Sequence, residues 1–170
     1  MKLYLLTAIA VVLLAAGCSE PDPSSGFESY PAPKAGEPAP DFTKTDTAGQ
    51  RVQLSQYRGK VVLIDFWATW CGPCIVAMPD LMDRWERFRG RDFVILGVSL
   101  DSDPSKWREF IRNNKIDWVN VLDTNPNAVS LRYNVSGIPM TYLIGRDGKV
   151  IAAANYIENI DDLIEDALAE

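Results

Sequence analysis

Hydrophobic and polar positions divide the chain into three stretches. Leu3 to Ala16 is apolar and carries no charge. Ser19 to Pro38 contains no apolar block and is punctuated by Pro21, Pro23, Pro31, Pro33 and Pro38. From Ala39 onward, short apolar blocks alternate with segments whose apolar residues recur every three or four positions. That is the pattern of buried strands interleaved with amphipathic helices. Thr45 to Leu54 reads as a hairpin turning at Ala48-Gly49, and Ser55 to Lys60 as a short turn. The block Val61-Val62-Leu63-Ile64-Asp65-Phe66-Trp67 then predicts a buried central strand. Ile75, Met78, Leu81, Met82, Trp85 and Phe88 share one face of a helix over 75–88, with Pro79 inside it as a kink point. Phe93 to Val98 predicts a second buried strand. Asp101-Ser102-Asp103-Pro104 reads as a helix cap with proline in the first turn, leading to an apolar face of Trp107, Phe110 and Ile111. A short strand over 118–122 and a short helix over 127–133 follow. Met140 to Ile144 and Val150 to Ala154 flank Asp147-Gly148, a hairpin signal. Ile160, Leu163, Ile164, Ala167 and Leu168 close the chain as one amphipathic face.

This order implies an α/β domain. Early alternation of strand and helix calls for parallel strands, and the late hairpin adds antiparallel ones, giving a mixed central sheet with helices on both faces. The domain is expected over residues 39–170. Residues 18–38 cannot bury a core and are expected to form an extended or disordered tether. Residues 1–17, with Lys2 ahead of the apolar run, have the form of a signal peptide.

Composition narrows the chemistry. A chain of 170 residues, 47% hydrophobic and 24% charged, suits one globular domain with a short extra segment. A net charge of −6 leaves no basic patch for phosphates, so nucleic acid is excluded as a partner. There is no histidine, which removes imidazole acid–base catalysis and imidazole metal ligation together. Three cysteines is an odd number. Cys71 and Cys74 form a Cys-Gly-Pro-Cys unit, and Cys18 stands apart at the end of the apolar leader.

The unit sits where a strand meets a helix. Gly72 and Pro73 break the extended run, and Pro73 suits a first helical turn. Cys71 then lies near unpaired backbone N–H groups that favour a thiolate, with Cys74 one turn further in and more covered. Local geometry therefore assigns attack to Cys71 and resolution to Cys74. The alternatives are a structural disulfide or half of a zinc site. Zinc needs two further ligands that the chain does not offer, so no metal and no cofactor is expected.

The central stretch resembles thioredoxin: Asp-Phe-Trp-Ala-x-Trp-Cys-Gly-Pro-Cys stands here as Asp65 to Cys74. Gly137-Ile138-Pro139-Met140-Thr141 resembles the loop of that fold whose proline is cis and packs on the active-site disulfide. The N-terminal β-hairpin and a helix-containing insertion between Leu100 and Pro139 are similar to the TlpA/ResA-like branch of thiol–disulfide oxidoreductases. The resemblance covers about residues 36–170 and implies a thioredoxin-like fold. It implies an enzyme in which Trp70, Gly72, Pro73, Ile138 and Pro139 meet the substrate, the backbone of Ile138 being free to pair with a substrate strand. Trp70 is otherwise a core residue. Many members carry Glu three residues after the second cysteine, where this chain has Ala77, and many have Asn where this chain has Asp65. Asp65 is therefore the expected proton acceptor for Cys74. Its alternative is a strand residue reaching solvent, which Ile64 and Phe66 on either side oppose.

Leu14-Ala15-Ala16-Gly17-Cys18 resembles a bacterial lipobox, with Ala15 where Leu is usual. It implies a lipid on Cys18 that anchors the protein to a membrane; the alternative is an ordinary cleaved signal with a stray cysteine. In lipoproteins of Gram-negative bacteria, Asp after the cysteine resembles an inner-membrane signal, and Ser19 here leans toward the outer membrane. A cell-envelope reductase follows, facing the periplasm. Its substrates would be disulfides of exported proteins, for example apocytochrome c during cytochrome c maturation, with electrons from a membrane thiol carrier. A peroxiredoxin-like thiol peroxidase would share the hairpin. Its Pro-x-x-x-Thr-x-x-Cys signature is absent, since Ile64 and Ala68 hold the Pro and Thr places. A non-catalytic binding protein such as a copper metallochaperone would use a distal histidine, which the chain lacks.

Overall fold

The computed structural model describes residues 30–124 and 128–170. The leader, Cys18 and most of the expected tether lie outside the described residues.

An antiparallel hairpin, β1 (Thr43–Thr45) and β2 (Arg51–Gln53), opens the fold. Its turn uses Gly49 at φ +81°, a conformation glycine adopts without strain. A 3₁₀ turn (Leu54–Tyr57) leads into β3 (Val61–Trp67), and α1 (Gly72–Phe88) follows. Next come β4 (Phe93–Ser99), α2 (Pro104–Asn113), β5 (Val119–Leu122) and the short α3 (Val129–Arg132). The chain ends in β6 (Met140–Ile144), β7 (Val150–Ala154) and α4 (Ile160–Ala169).

The five-stranded sheet runs β5-β4-β3-β6-β7. β3 and β4, and β4 and β5, are parallel; β6 is antiparallel to β3 and to β7. This is the expected mixed sheet. Successive residues of β3 point to opposite faces, so the strand feeds two cores. Val61, Leu63 and Trp67 pack with α1, α2 and α4. Val62, Ile64 and Phe66 pack with the hairpin side, Phe42, Val52 and Tyr133. Both faces of β3 and β4 are covered, which is why the two read as continuous apolar blocks rather than alternating ones. Asp65 shares its parity with Leu63 and Trp67. It is paired in register with Gly97 on one side and Thr141 on the other, so it is a polar residue on the helix-covered face.

Gly97 has a specific reason to be glycine. A Cβ there would lie 2.1 Å from Asn120 Oδ1, which accepts the Trp67 indole N–H at 3.2 Å.

The domain is tied down slightly before the expected boundary at residue 39. Gly36 N–H donates to Val150 O, Val150 N–H donates to Glu37 O, and Pro38 bridges Lys149. Beside that same β6–β7 turn, Arg146 donates to the carbonyls of Ala167 and Leu168 at the end of α4. β6 runs antiparallel to β3, so this turn lies at the opposite end of the sheet from Cys71.

Candidate active site

The helix that carries the cysteines starts three residues before the expected 75, and its cap explains why. Cys71 is the N-cap; its Sγ accepts the backbone N–H of Cys74 at 3.2 Å, with Gly72 and Pro73 in the first turn. A donor that a helix start leaves unpaired is thus satisfied by the sulfur itself. Cys71 and Cys74 form a disulfide with Cα atoms 5.3 Å apart. The expected contrast in cover is absent in this oxidised form: Cys71 is 5% exposed and Cys74 4%. The asymmetry lies in surroundings. The Cys71 sulfur faces the N-terminal amides of α1, while Cys74 faces a cavity.

That cavity, of about 100 Å³, lies between α1, the sheet and the segment before α4. Asp65, Cys74, Ala77, Arg84, Pro139 and Thr141 all line it. Asp65 is half-buried, its remaining exposure being toward this space. No backbone or side-chain donor among the described residues hydrogen-bonds its carboxylate. Burial therefore raises its pKa from the ordinary 3.8 to about 7, with the Arg84 guanidinium working against the rise. A carboxyl group poised near neutrality in the same cavity as Cys74 has the chemistry to exchange a proton with a thiol there. Arg84 is itself fixed from across the helix layer: its Nε donates to Asp161 of α4 at 2.6 Å, and Arg87 donates to the other Asp161 oxygen at 2.6 Å.

The mouth of the site is built from the other expected residues. Trp70 is 65% exposed, so it belongs to the rim and not to the core. Gly72 and Pro73 are exposed, and Ile138 and Pro139 are partly buried. The Ile138–Pro139 bond is cis, as expected, and Asn155 Nδ2 donates to the Pro139 carbonyl.

A second carboxylate near the disulfide was not foreseen. Asp101 was expected to help cap α2, but the cap is Asp103, which accepts from the amides of Ser105 and Lys106. Asp101 turns the other way and is 4% exposed. It accepts from Thr69 N–H at 3.0 Å, Thr69 Oγ at 2.6 Å and Ser99 Oγ at 2.7 Å. It thereby clamps the segment that leads from β3 into Cys71. The Asp-x-Asp spacing held both readings; only the fold separates them.

A family model for the AhpC/TSA family matches residues 35–153. The chain belongs to that family. Within the AhpC/TSA family it is similar to the thiol-disulfide oxidoreductase ResA of Bacillus subtilis, 31% identical over 88% of this chain and 83% of the relative. ResA of Geobacillus kaustophilus is 34% identical over 88% of this chain and 84% of its own. Among solved structures, the thioredoxin domain of a thiol-disulfide oxidoreductase from Bacteroides vulgatus superposes with a TM-score of 0.73 at 30% identity, covering 79% of this chain and 98% of that one. This AhpC/TSA member has the thioredoxin-like fold and is a thiol-disulfide oxidoreductase of the ResA type.

Proposed function

We propose that the protein reduces disulfides of exported proteins in the cell envelope, for example during cytochrome c maturation, through Cys71 and Cys74. The observation that supports the two-step reading is the cavity lined by both Asp65 and Cys74. The Cys71 thiolate attacks one sulfur of a substrate disulfide. A Cys71–substrate disulfide forms, and the other substrate sulfur leaves as a thiolate that takes up a proton. Cys74 passes its proton to Asp65 and attacks the Cys71 sulfur. The Cys71–Cys74 disulfide forms, and the second substrate thiolate departs and is protonated. The substrate gains two electrons that the dithiol loses. A membrane thiol carrier then returns the protein to the dithiol. Trp70, Gly72, Pro73, Ile138 and Pro139 form the surface that meets the substrate, with the Ile138 backbone pairing to its strand. A lipid on Cys18 would anchor the protein, with the outer membrane favoured over the inner by Ser19.

Replacing Cys74 by Ala removes the second step and should trap substrates on Cys71. Envelope proteins released from the variant by reductant, and absent from a Cys71→Ala,Cys74→Ala control, support the reading. No trapped partner, combined with peroxide turnover by the intact protein, would overturn it in favour of a thiol peroxidase.

A further inference from the structure

The cavity behind the disulfide holds one cation among the described residues. Arg84 reaches it from α1, ten positions after Cys74, and its side chain is only 18% exposed. Its Nε is spent on Asp161, and Asp161 also holds Arg87. The Arg84 Nη groups donate to no protein acceptor among the described residues, although they belong to a largely buried side chain in the wall of the cavity that contains the Asp65 carboxylate. A guanidinium anchored at one edge and unpaired at the other acts as a fixed charge rather than a mobile one.

We infer that Arg84 is a positioning residue for proton transfer: held by Asp161 across the α1–α4 contact, it lines the same cavity as Asp65 and Cys74 and fixes a positive charge in the wall of the space through which the Cys74 proton reaches Asp65. This rests on the role of Asp65 given under the proposed function. Burial favours the protonated Asp65 carboxyl, and Arg84 opposes that preference. The other titratable groups lining the cavity are Cys74 and Asp80 of α1 and Tyr156 of the segment before α4. The strand neighbours of Asp65, Gly97 and Thr141, do not titrate in this range. Asp80 and Tyr156 are exposed, so solvent screens them more than it screens Arg84.

The test is the resolving step as a function of pH. The full chain in detergent micelles is reduced and mixed with a saturating peptide disulfide, and release of the second peptide thiol is followed in a single turnover. Arg84→Gln should move the midpoint of the pH–rate profile upward by about half a unit or more, so that the rate at pH 6.5 falls about threefold while the high-pH plateau is kept. Arg84→Lys, which keeps the charge, should restore most of the shift. In an Asp65→Asn background, Arg84→Gln should add no shift. An even loss of rate at every pH, an unmoved midpoint, or a shift that persists without Asp65 would each overturn the role of Arg84 while leaving Asp65 in place. A pH profile untouched by Asp65→Asn alone would overturn the proton-acceptor reading and this inference with it.

Discussion

Two aspartates border the segment that carries the disulfide, Asp65 within β3 and Asp101 just after β4, and they differ in burial and in hydrogen-bond donors. Asp101 is the more buried, yet three donors from Thr69 and Ser99 fill its oxygens. Asp65 keeps an opening to a cavity, yet no donor among the described residues reaches it, and its pKa is pushed up to about 7. A buried carboxylate that lacks hydrogen-bond donors gives up its charge more readily. Depth of burial therefore does not separate the bracing carboxylate from the one proposed to accept a proton; the supply of donors does. Asp101 holds the active-site segment still, and Asp65 is free to change its protonation.

The sharpest way to break this contrast is to remove the clamp. Asp101→Ala strands one buried donor, Ser99 Oγ, and two half-buried ones on Thr69, and a loss of about 2–3 kcal/mol in urea unfolding of the oxidised protein is expected. Asp101→Asn should recover much of it, since the amide keeps one acceptor and the two hydroxyls can rotate to meet its N–H₂. The pH profile of exchange should keep its shape in the Asn variant. A displaced midpoint would mean that Asp101 also carries protons.

The opposite result is expected at Asp65. Asp65→Asn should slow the resolving step by about 100-fold, the low end of what a positioned base supplies, because water in the cavity can substitute in part. It should also stabilise the protein at alkaline pH. The native pKa of about 7 lies above the ordinary 3.8, so the native state binds the proton more tightly than the unfolded chain. That stability is complete below pH 3.8 and is lost as pH rises through about 7. The Asn variant, which has no charge to bury, should therefore match the parent at pH 4 and exceed it by about 2–4 kcal/mol at pH 8. Equal stability at both pH values would remove the distinction between the two aspartates.

The smallest effect sharpens the clamp itself. Thr69→Val keeps the backbone N–H on Asp101 and deletes the 2.6 Å hydroxyl bond. A cost of about 1.5 kcal/mol is expected by thermal or urea unfolding, with no change in the pH dependence of exchange.

What the sequence disclosed and what it withheld follow from distance along the chain. The strands were legible because each apolar block is contiguous, and Asp65 stood out as the lone acid in one of them. The cysteine pair is likewise contiguous. α1 was placed three residues short because its cap is a sulfur, a group that capping preferences do not emphasise. Asp101 and Thr69 are separated by 32 positions, and Arg84 and Asp161 by 77, so no local pattern could join them. Both pairs exist because parallel β3 and β4 end side by side and because α4 returns over α1. The carboxylate proposed to accept the proton is readable from its sequence neighbours; Arg84, Asp161 and the Asp101 clamp are not.

The fastening at Gly36–Pro38 and the end of α4 share one turn, that between β6 and β7. Both ends of the folded domain thus emerge at one pole, and the disulfide occupies the other. The reactive pole is assembled from internal segments alone. Holding the folded domain at this pole, on a surface or in a fusion, leaves the pole that carries the disulfide facing away from the support. The same geometry lets the domain be spliced as a single insert into a host loop, with its two junctions adjacent and its working face untouched.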